Sequence, residues 1–461
     1  MRANLADLLT GRRGYMAAAM GILIVAALAV SRFGPPASEA HVPDTAEMLQ
    51  ADAASGDAGD QPAAEAGPES GPPASPLLPQ DPRGTELFAF PPITDGVQRS
   101  AKPAVVRGIY LNAWAAGSTR KLARLIDVAN RTEINTFVID VKEGGHVSYR
   151  SNVPLARQIG ADQPHIRDIR GVLRQLRENG IYPIARIVVF RDATLAEARP
   201  DWAVRHVNGG DWIDHYGHRW VDSYNRDVWD YNIAIAREAL ELGFSEVQWD
   251  YVRFPDVPAS LMRTAHWPAQ DGRSKADGIR EFLIHSREQL ASYGVPLTAD
   301  VFGLTVSARD DMGIGQLWEK MVDATDVLLP MVYPSHFARG TYGIAAPNAR
   351  PYDVVRRSME DAVRRTTGVP GAATIRPWLQ DFTLGPPRYG PEHVRAQIDA
   401  VYAAGLQEWV LWHPGSNYTE AALALADGTV PDLASPAEVT PPAPTTSGPR
   451  RRAPLGSPVD G

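Results

Sequence analysis

The chain has 461 residues, with 46 Lys and Arg against 54 Asp and Glu, a formal net charge of -8 and no cysteine. The acidic balance argues against nucleic acid as a partner, because phosphate binders present a basic surface. The missing cysteine excludes disulfides, thiolate metal ligands, a cysteine nucleophile and a lipid-bearing cysteine.

Length alone allows two or three average domains, or one α/β barrel of about 250 residues with insertions, so patterning along the chain has to decide. At the N-terminus, Arg12 and Arg13 precede an apolar run from Tyr15 to Val30 that Ser31 and Arg32 close. The run is a little short of the roughly 20 residues that span a bilayer as a helix, so residues 1–32 read as a signal anchor or a cleaved signal peptide. A small-x-small site at Ser38-Glu39-Ala40 would start the mature chain at His41, but it lies well past the apolar run. The anchor is therefore the favoured reading, with the arginines inside and the rest of the chain outside the cytoplasm. Secretion or a periplasmic location is the alternative.

Pro, Ala, Gly and Ser crowd the stretches from Gly34 to Gln80 and from Ser435 to Gly461. Such segments hold too few large apolar side chains to offset the entropy of ordering them, so residues 33–103 read as a disordered linker and 431–461 as a disordered tail. Arg450, Arg451 and Arg452 in that tail read as a solvated basic cluster.

Between them, residues 104–430 alternate short β-rich runs with helix-length amphipathic stretches, the mark of parallel strands joined by crossover helices. Eight strands are expected: Val105 to Leu111, Thr136 to Val141, Tyr182 to Phe190, Glu246 to Val252, Leu297 to Phe302, Asp326 to Met331, Ala373 to Leu379 and Glu408 to Trp412. Most are apolar nearly throughout, so both faces need cover, as in a (β/α)8 TIM barrel filled inside and jacketed outside. Helices are expected over Arg120 to Asn130, Ile166 to Asn179, Asp227 to Leu242, Lys275 to Ser292 and Pro391 to Ala404. Gly180, Gly243, Gly294 and Gly405 stand where a left-handed cap would end a helix before the next strand. A doubly wound open sheet is the main competitor, without a Gly-rich dinucleotide fingerprint to support it.

The longest connections follow the third strand, Arg191 to Arg226, and the fourth, Phe254 to Ser274, and loops of that length are usually functional. The run from Asp211 to His218 in the first of them holds two histidines, His215 and His218, only three apart, without the paired spacing and third ligand of a convincing metal site. A sugar-contacting loop carrying Trp202, Trp212 and Trp220 is the better reading, with plain packing expected for at least one of the three. No metal or other cofactor is implied. A serine hydrolase would want a Gly-x-Ser-x-Gly elbow and a kinase a phosphate loop, and the chain has neither.

Barrel enzymes work at the carboxyl ends of their strands. Those ends carry Asp140, Lys142 and Glu143 on the second strand, Arg186 on the third, Trp249, Asp250 and Arg253 on the fourth, and Asp300 on the fifth. Tyr333 and His336 follow the sixth, Trp378, Gln380 and Asp381 end the seventh, and Trp412 and His413 the eighth. Any one buried Asp could simply pair with a neighbouring Lys or Arg, but a structural ion pair does not call for a ring of aromatics at one rim. Carboxylate pairs among Trp and Tyr suit glycosidic cleavage, where one group protonates the leaving oxygen and another attacks or activates water. Asp250 is expected as nucleophile or base and Asp300 as acid, with Asp140 and Glu143 in reserve and Arg186, Arg253, Tyr333 and His336 stabilising charge or binding substrate.

The segments Arg107 to Asn112, Phe137 to Lys142, Val247 to Pro255 and Pro330 to His336, above all Trp249-Asp250-Tyr251-Val252-Arg253-Phe254-Pro255, carry a family resemblance. The chain from about 105 to 425 resembles the bacterial putative glycoside hydrolase family, TIM-barrel domains of largely unknown function. The resemblance implies kinship with the α-glycosidase-like superfamily, in which the fourth-strand Asp, here Asp250, commonly serves as nucleophile; Asp300 matches the superfamily's acid only loosely. The function expected is hydrolysis of a cell-envelope or extracellular polysaccharide. A catalytically inactive barrel that binds envelope glycan is the second class of reading.

Overall fold

In the computed structural model, which describes residues 87–89, 97–431 and 433, every expected apolar run becomes a parallel strand. The staves are β1 (Arg107–Leu111), β2 (Thr136–Glu143), β3 (Tyr182–Val188), β4 (Glu246–Asp250), β5 (Leu297–Phe302), β6 (Val327–Met331), β7 (Thr374–Ile375 and Trp378–Gln380, split around Arg376 and Pro377) and β8 (Trp409–Trp412). Each pairs in parallel with the next, and β8 and β2 both pair with β1, which closes the cylinder. Closure leaves no sheet edge exposed along the barrel.

Among the described residues, one helix between each pair of successive staves jackets the barrel: α1 (Thr119–Arg131), α2 (Ile169–Glu178), α3 (Arg226–Leu242), α4 (Lys275–Leu290), α5 (the single turn Trp318–Met321), α6 (Pro351–Thr366) and α7 (Pro391–Ala403), with further short helices in the loops. Among the described residues after β8 there is no α-helix, and the short turn Glu420–Ala422 stands in its place. The starts follow local caps: Ser118 accepts the Lys121 N–H, and Asp168 accepts the Gly171 N–H at 2.8 Å, which is why α2 begins at Ile169 rather than Ile166. On α1, Leu122, Leu125, Ile126 and Ala129 are buried, a helical stripe laid on the barrel. All four glycines expected at helix ends have positive φ.

Two apolar cores result. The larger fills the space between staves and helices. The smaller fills the barrel itself with Tyr110, Val138, Tyr182, Ile184, Val327, Leu329, Tyr333, Trp378, Phe382, Val410 and Trp412. At the amino-terminal end the barrel is plugged by charge: Arg376 Nη1 donates to Glu246 at 2.5 Å and Arg376 Nε to Glu408 at 2.8 Å.

The two long loops after β3 and β4 pack together. Arg205–His206 pairs antiparallel with Ala265–His266, and the Trp212 indole N–H donates to Thr264 Oγ1 at 3.1 Å. Trp202, Trp212 and Trp220 are all buried, so the expected sugar-contacting tryptophans are packing residues instead. Asp214 organises their loop by accepting the backbone N–H groups of Tyr216 and His218 and the indole N–H of Trp220.

The expected membrane segment, linker and tail lie outside the described residues apart from their inner margins. No helix among the described residues is long and apolar enough to cross a membrane.

Candidate active site

Strand phase decides which strand-end residues meet. On β3 the side chains of Tyr182 and Ile184 point into the barrel core, and Arg186 follows in phase. On β4 the inward set is Glu246, Gln248 and Asp250, and on β5 it includes Asp300. The carboxyl-terminal mouth thereby collects Asp140, Glu143, Arg186, Asp250 and Asp300 from four successive staves.

Arg186, 1 % exposed, is the hub. Its Nε and Nη2 donate to Asp250 Oδ2 at 2.9 and 2.5 Å, and its Nη1 donates to Asp140 Oδ1 at 2.5 Å and to Glu143 Oε2 at 2.7 Å. The other oxygens are also held. Tyr110 donates its hydroxyl to Asp140, Arg191 donates to Glu143 Oε1 at 2.9 Å, and the Tyr251 backbone N–H donates to Asp250 Oδ1 at 2.6 Å. Asp300 lies apart from the hub: Gln248 Nε2 reaches both its oxygens at 2.9 Å and the Trp378 indole N–H donates to Oδ1 at 2.7 Å.

These surroundings sort the acids. Burial, reinforced by the charge of Asp250, pushes Asp300 well above the usual carboxylate range, while Arg186 and the donors Trp378 and Gln248 pull the other way. Burial also raises Asp140, to about 7, although Arg186 pulls the other way. For Glu143 burial is outweighed by Arg186 and Arg191, which keep its carboxyl below its ordinary value. The mouth thus places carboxyl groups shifted in opposite directions side by side, as a division of labour in acid–base chemistry requires.

Aromatic side chains surround them. Trp412 stacks on Tyr110 with centroids 3.9 Å apart, and both rings lie within 5.6 Å of the Arg186 guanidinium. Tyr333 is buried beside Asp300 and Asp250, and burial, with the acidic neighbours adding to it, raises its hydroxyl. His336 packs edge-on against Tyr333 and Phe382, and its Nδ1 is 2.9 Å from Ser335 Oγ. His413 accepts the Gly415 N–H on Nδ1, and burial lowers it to about 4. Arg253 sits over the rings of Trp220, Tyr251 and Phe302.

Four expected substrate-binding residues serve the frame instead. Lys142 is fully buried outside the barrel, 2.6 Å from Asp192 and donating to Asn232 of α3 and to the Val188 carbonyl. The cause is a break in the β2–β3 register between Asp140 and Lys142, which pairs Lys142 with the outward Ile187 and returns Glu143 to the mouth. Trp249, one residue out of phase with Asp250, is buried against Phe282 of α4. Gln380 accepts the Ser335 N–H, and Asp381 takes both the N–H and the hydroxyl of Thr419, so both tie loops together.

Tyr110, Gln248, Arg191 and Tyr251 belong to the site without having been expected there. Gln248 could have been found two residues before Asp250 on the same strand face. Tyr251 carries no such signal: its φ of +50° is a backbone feature of the turn after β4. Among the described residues no group of three or more His, Asp or Glu is arranged to hold a metal ion.

Comparison with known proteins adds a family. No curated protein matches the chain. Similar solved structures include a hypothetical protein from Ruminiclostridium thermocellum, 41% identical over 45% of this chain and 98% of that one, with a TM-score of 0.39. The PgaB (BpsB) glycoside hydrolase domain from Bordetella bronchiseptica is 13% identical over 69% of this chain and 99% of its own, with a TM-score of 0.47. The glycoside hydrolase domain of PelA from Pseudomonas aeruginosa is 14% identical over 69% and 97%, with a TM-score of 0.39. Residues 108–418, well over half of the chain, match the family described as "putative glycosyl hydrolase domain", and the chain belongs to that family.

Proposed function

We propose that the protein hydrolyses glycosidic bonds of a cell-envelope or extracellular polysaccharide at the carboxyl-terminal mouth of its barrel. Membership of a glycosyl hydrolase family supports the class of reaction. The observation that carries the chemistry is the convergence of Asp140, Glu143 and Asp250 on Arg186 at that mouth, with Asp300 from the next stave close enough to feel the charge of Asp250.

In this reading Asp250 attacks the anomeric carbon or activates water. Asp300, whose pKa burial and the charge of Asp250 raise, protonates the departing glycosidic oxygen. Asp140 is the reserve acid, raised to about 7, and Glu143, held charged by two arginines, is the reserve base. Arg186 keeps Asp250 in place and offsets the negative charge of the cluster. The N-terminal apolar run serves as a signal anchor that holds the barrel outside the cytoplasm.

A second reading has its own support. Asp250 is clasped by two nitrogens of Arg186, and Asp300 is only 1 % exposed, as befits a barrel that binds glycan without cleaving it. The two readings separate when the protein is incubated with envelope and exopolysaccharide preparations and new reducing ends are counted. Hydrolysis predicts release by wild type and none by Asp250→Asn; tight binding by both proteins with no release would sink the enzyme reading.

A further inference from the structure

A buried guanidinium normally has a carboxylate beside it, because an unpaired charge taken out of water is costly. Six arginines are buried among the described residues: Arg186, Arg191, Arg199, Arg253, Arg376 and Arg395. Five have a carboxylate oxygen within 4 Å. Arg253, 8 % exposed, has none among the described residues.

What holds Arg253 is mainly aromatic. Its guanidinium lies 4.7 Å from the ring centroids of Tyr251 and Phe302 and 5.2 Å from that of Trp220, and one nitrogen, Nη1, donates to the Phe254 carbonyl at 3.0 Å. Its other N–H groups have no protein acceptor among the described residues. Tyr251, whose ring also carries the Arg191 guanidinium at 4.0 Å, is held at a positive φ immediately after Asp250. A strained residue thus seats two cations at the rim of the carboxylate cluster. Arg191 is answered by Glu143, and Arg186 by Asp140, Glu143 and Asp250. Asp250 and Asp256 act on Arg253 only from beyond ion-pair distance.

We infer that Arg253 recognises an oxyanion on the substrate, so that the mouth takes a glycan with anionic sugars, a uronate carboxylate or a sulfate ester, close to the scissile bond. A planar guanidinium fixed on rings offers a donor edge suited to such a group. The inference rests on the hydrolase reading and narrows it to a substrate class.

The test measures binding of the full-length protein by isothermal titration to uronate, sulfated and neutral oligosaccharides of equal length, with reducing-end release followed in parallel. Wild type should bind an anionic series at least about tenfold more tightly than the neutral one, Arg253→Gln should reduce that preference to about twofold or less, and Arg253→Lys should fall between. Sulfated chains outranking uronates would support the anionic class and identify the oxyanion. Cleavage of neutral glycans with no preference for charge would overturn this inference while leaving the hydrolase reading intact. Binding and cleavage of no glycan at all would overturn both. Should Arg253→Gln misfold, Arg253→Lys decides, since an undiminished preference in a protein lacking the fork of donors would also overturn it.

Discussion

Arg186 can serve three carboxylates because its guanidinium divides between them: Asp250 takes Nε and Nη2, while Asp140 and Glu143 share Nη1. Removing the cation would leave the acids facing one another inside the barrel. Arg186→Met is therefore expected to cost about 3–5 kcal/mol of stability, the usual penalty for stranding buried partners. Urea unfolding followed by circular dichroism reads it directly, and an unchanged midpoint would show that the cluster is not held by this charge. Asp140 makes a separate prediction about pH. Its carboxyl is raised from an ordinary 3.8 to about 7 by burial, so the folded state holds the proton more tightly than the unfolded chain does. Stability from this group falls as pH rises through that window. Glu143, shifted downward, acts in the opposite sense and loses its contribution as pH falls. Asp140→Asn, which cannot ionise, should gain stability relative to wild type on going from pH 5 to pH 8. Parallel pH profiles for the two proteins would contradict the assigned shift.

At the scale of strands and helices, most of the architecture could be read directly because it depends on runs of residue type. Eight apolar segments gave eight staves, and positive-φ glycines stand where helices were expected to end. The candidate site was less legible, since it depends on phase within each stave. Asp250 and Trp249 are neighbours in sequence and face opposite sides of β4; applying the two-residue alternation backward from Asp250 would have turned Trp249 outward and brought in Gln248. Lys142 differs, because alternation from Asp140 puts it inside, and only the register break in β2 reverses it. Nothing in the residue types marks that break. Its consequence is testable: Lys142→Met strands Asp192, which is fully buried, and should cost about 3–5 kcal/mol in stability. The folded protein should nevertheless bind glycan as wild type does, because the side chain faces α3. A large loss of affinity at full folding, measured by titration below the melting transition, would place Lys142 at the mouth after all.

Across the whole molecule the barrel has two charged ends with different tasks. The carboxyl-terminal end gathers carboxyl groups shifted in opposite directions, with arginines set among them. The amino-terminal end holds Glu246, Arg376 and Glu408, joined by hydrogen bonds at 2.5 and 2.8 Å, with the Tyr182 hydroxyl donating to the Glu246 carboxylate at 3.3 Å. That plug is separated from the other end by the packed interior of the barrel. It closes a cylinder whose middle is already packed by Val138, Ile184, Leu329 and Val410. Conserving volume while removing charge should therefore be tolerated there, as desolvating three charged groups offsets much of what their attraction returns. Arg376→Met alone should destabilise by about 3–5 kcal/mol because it leaves Glu246 buried and unpaired, whereas Glu246→Leu, Arg376→Met and Glu408→Leu combined should recover most of that loss. Both proteins should cleave glycan at the wild-type rate per folded molecule. Thermal melts and reducing-end assays on the same preparations test the division of labour, and a triple variant that is stable but slow would show that the two ends of the barrel are coupled.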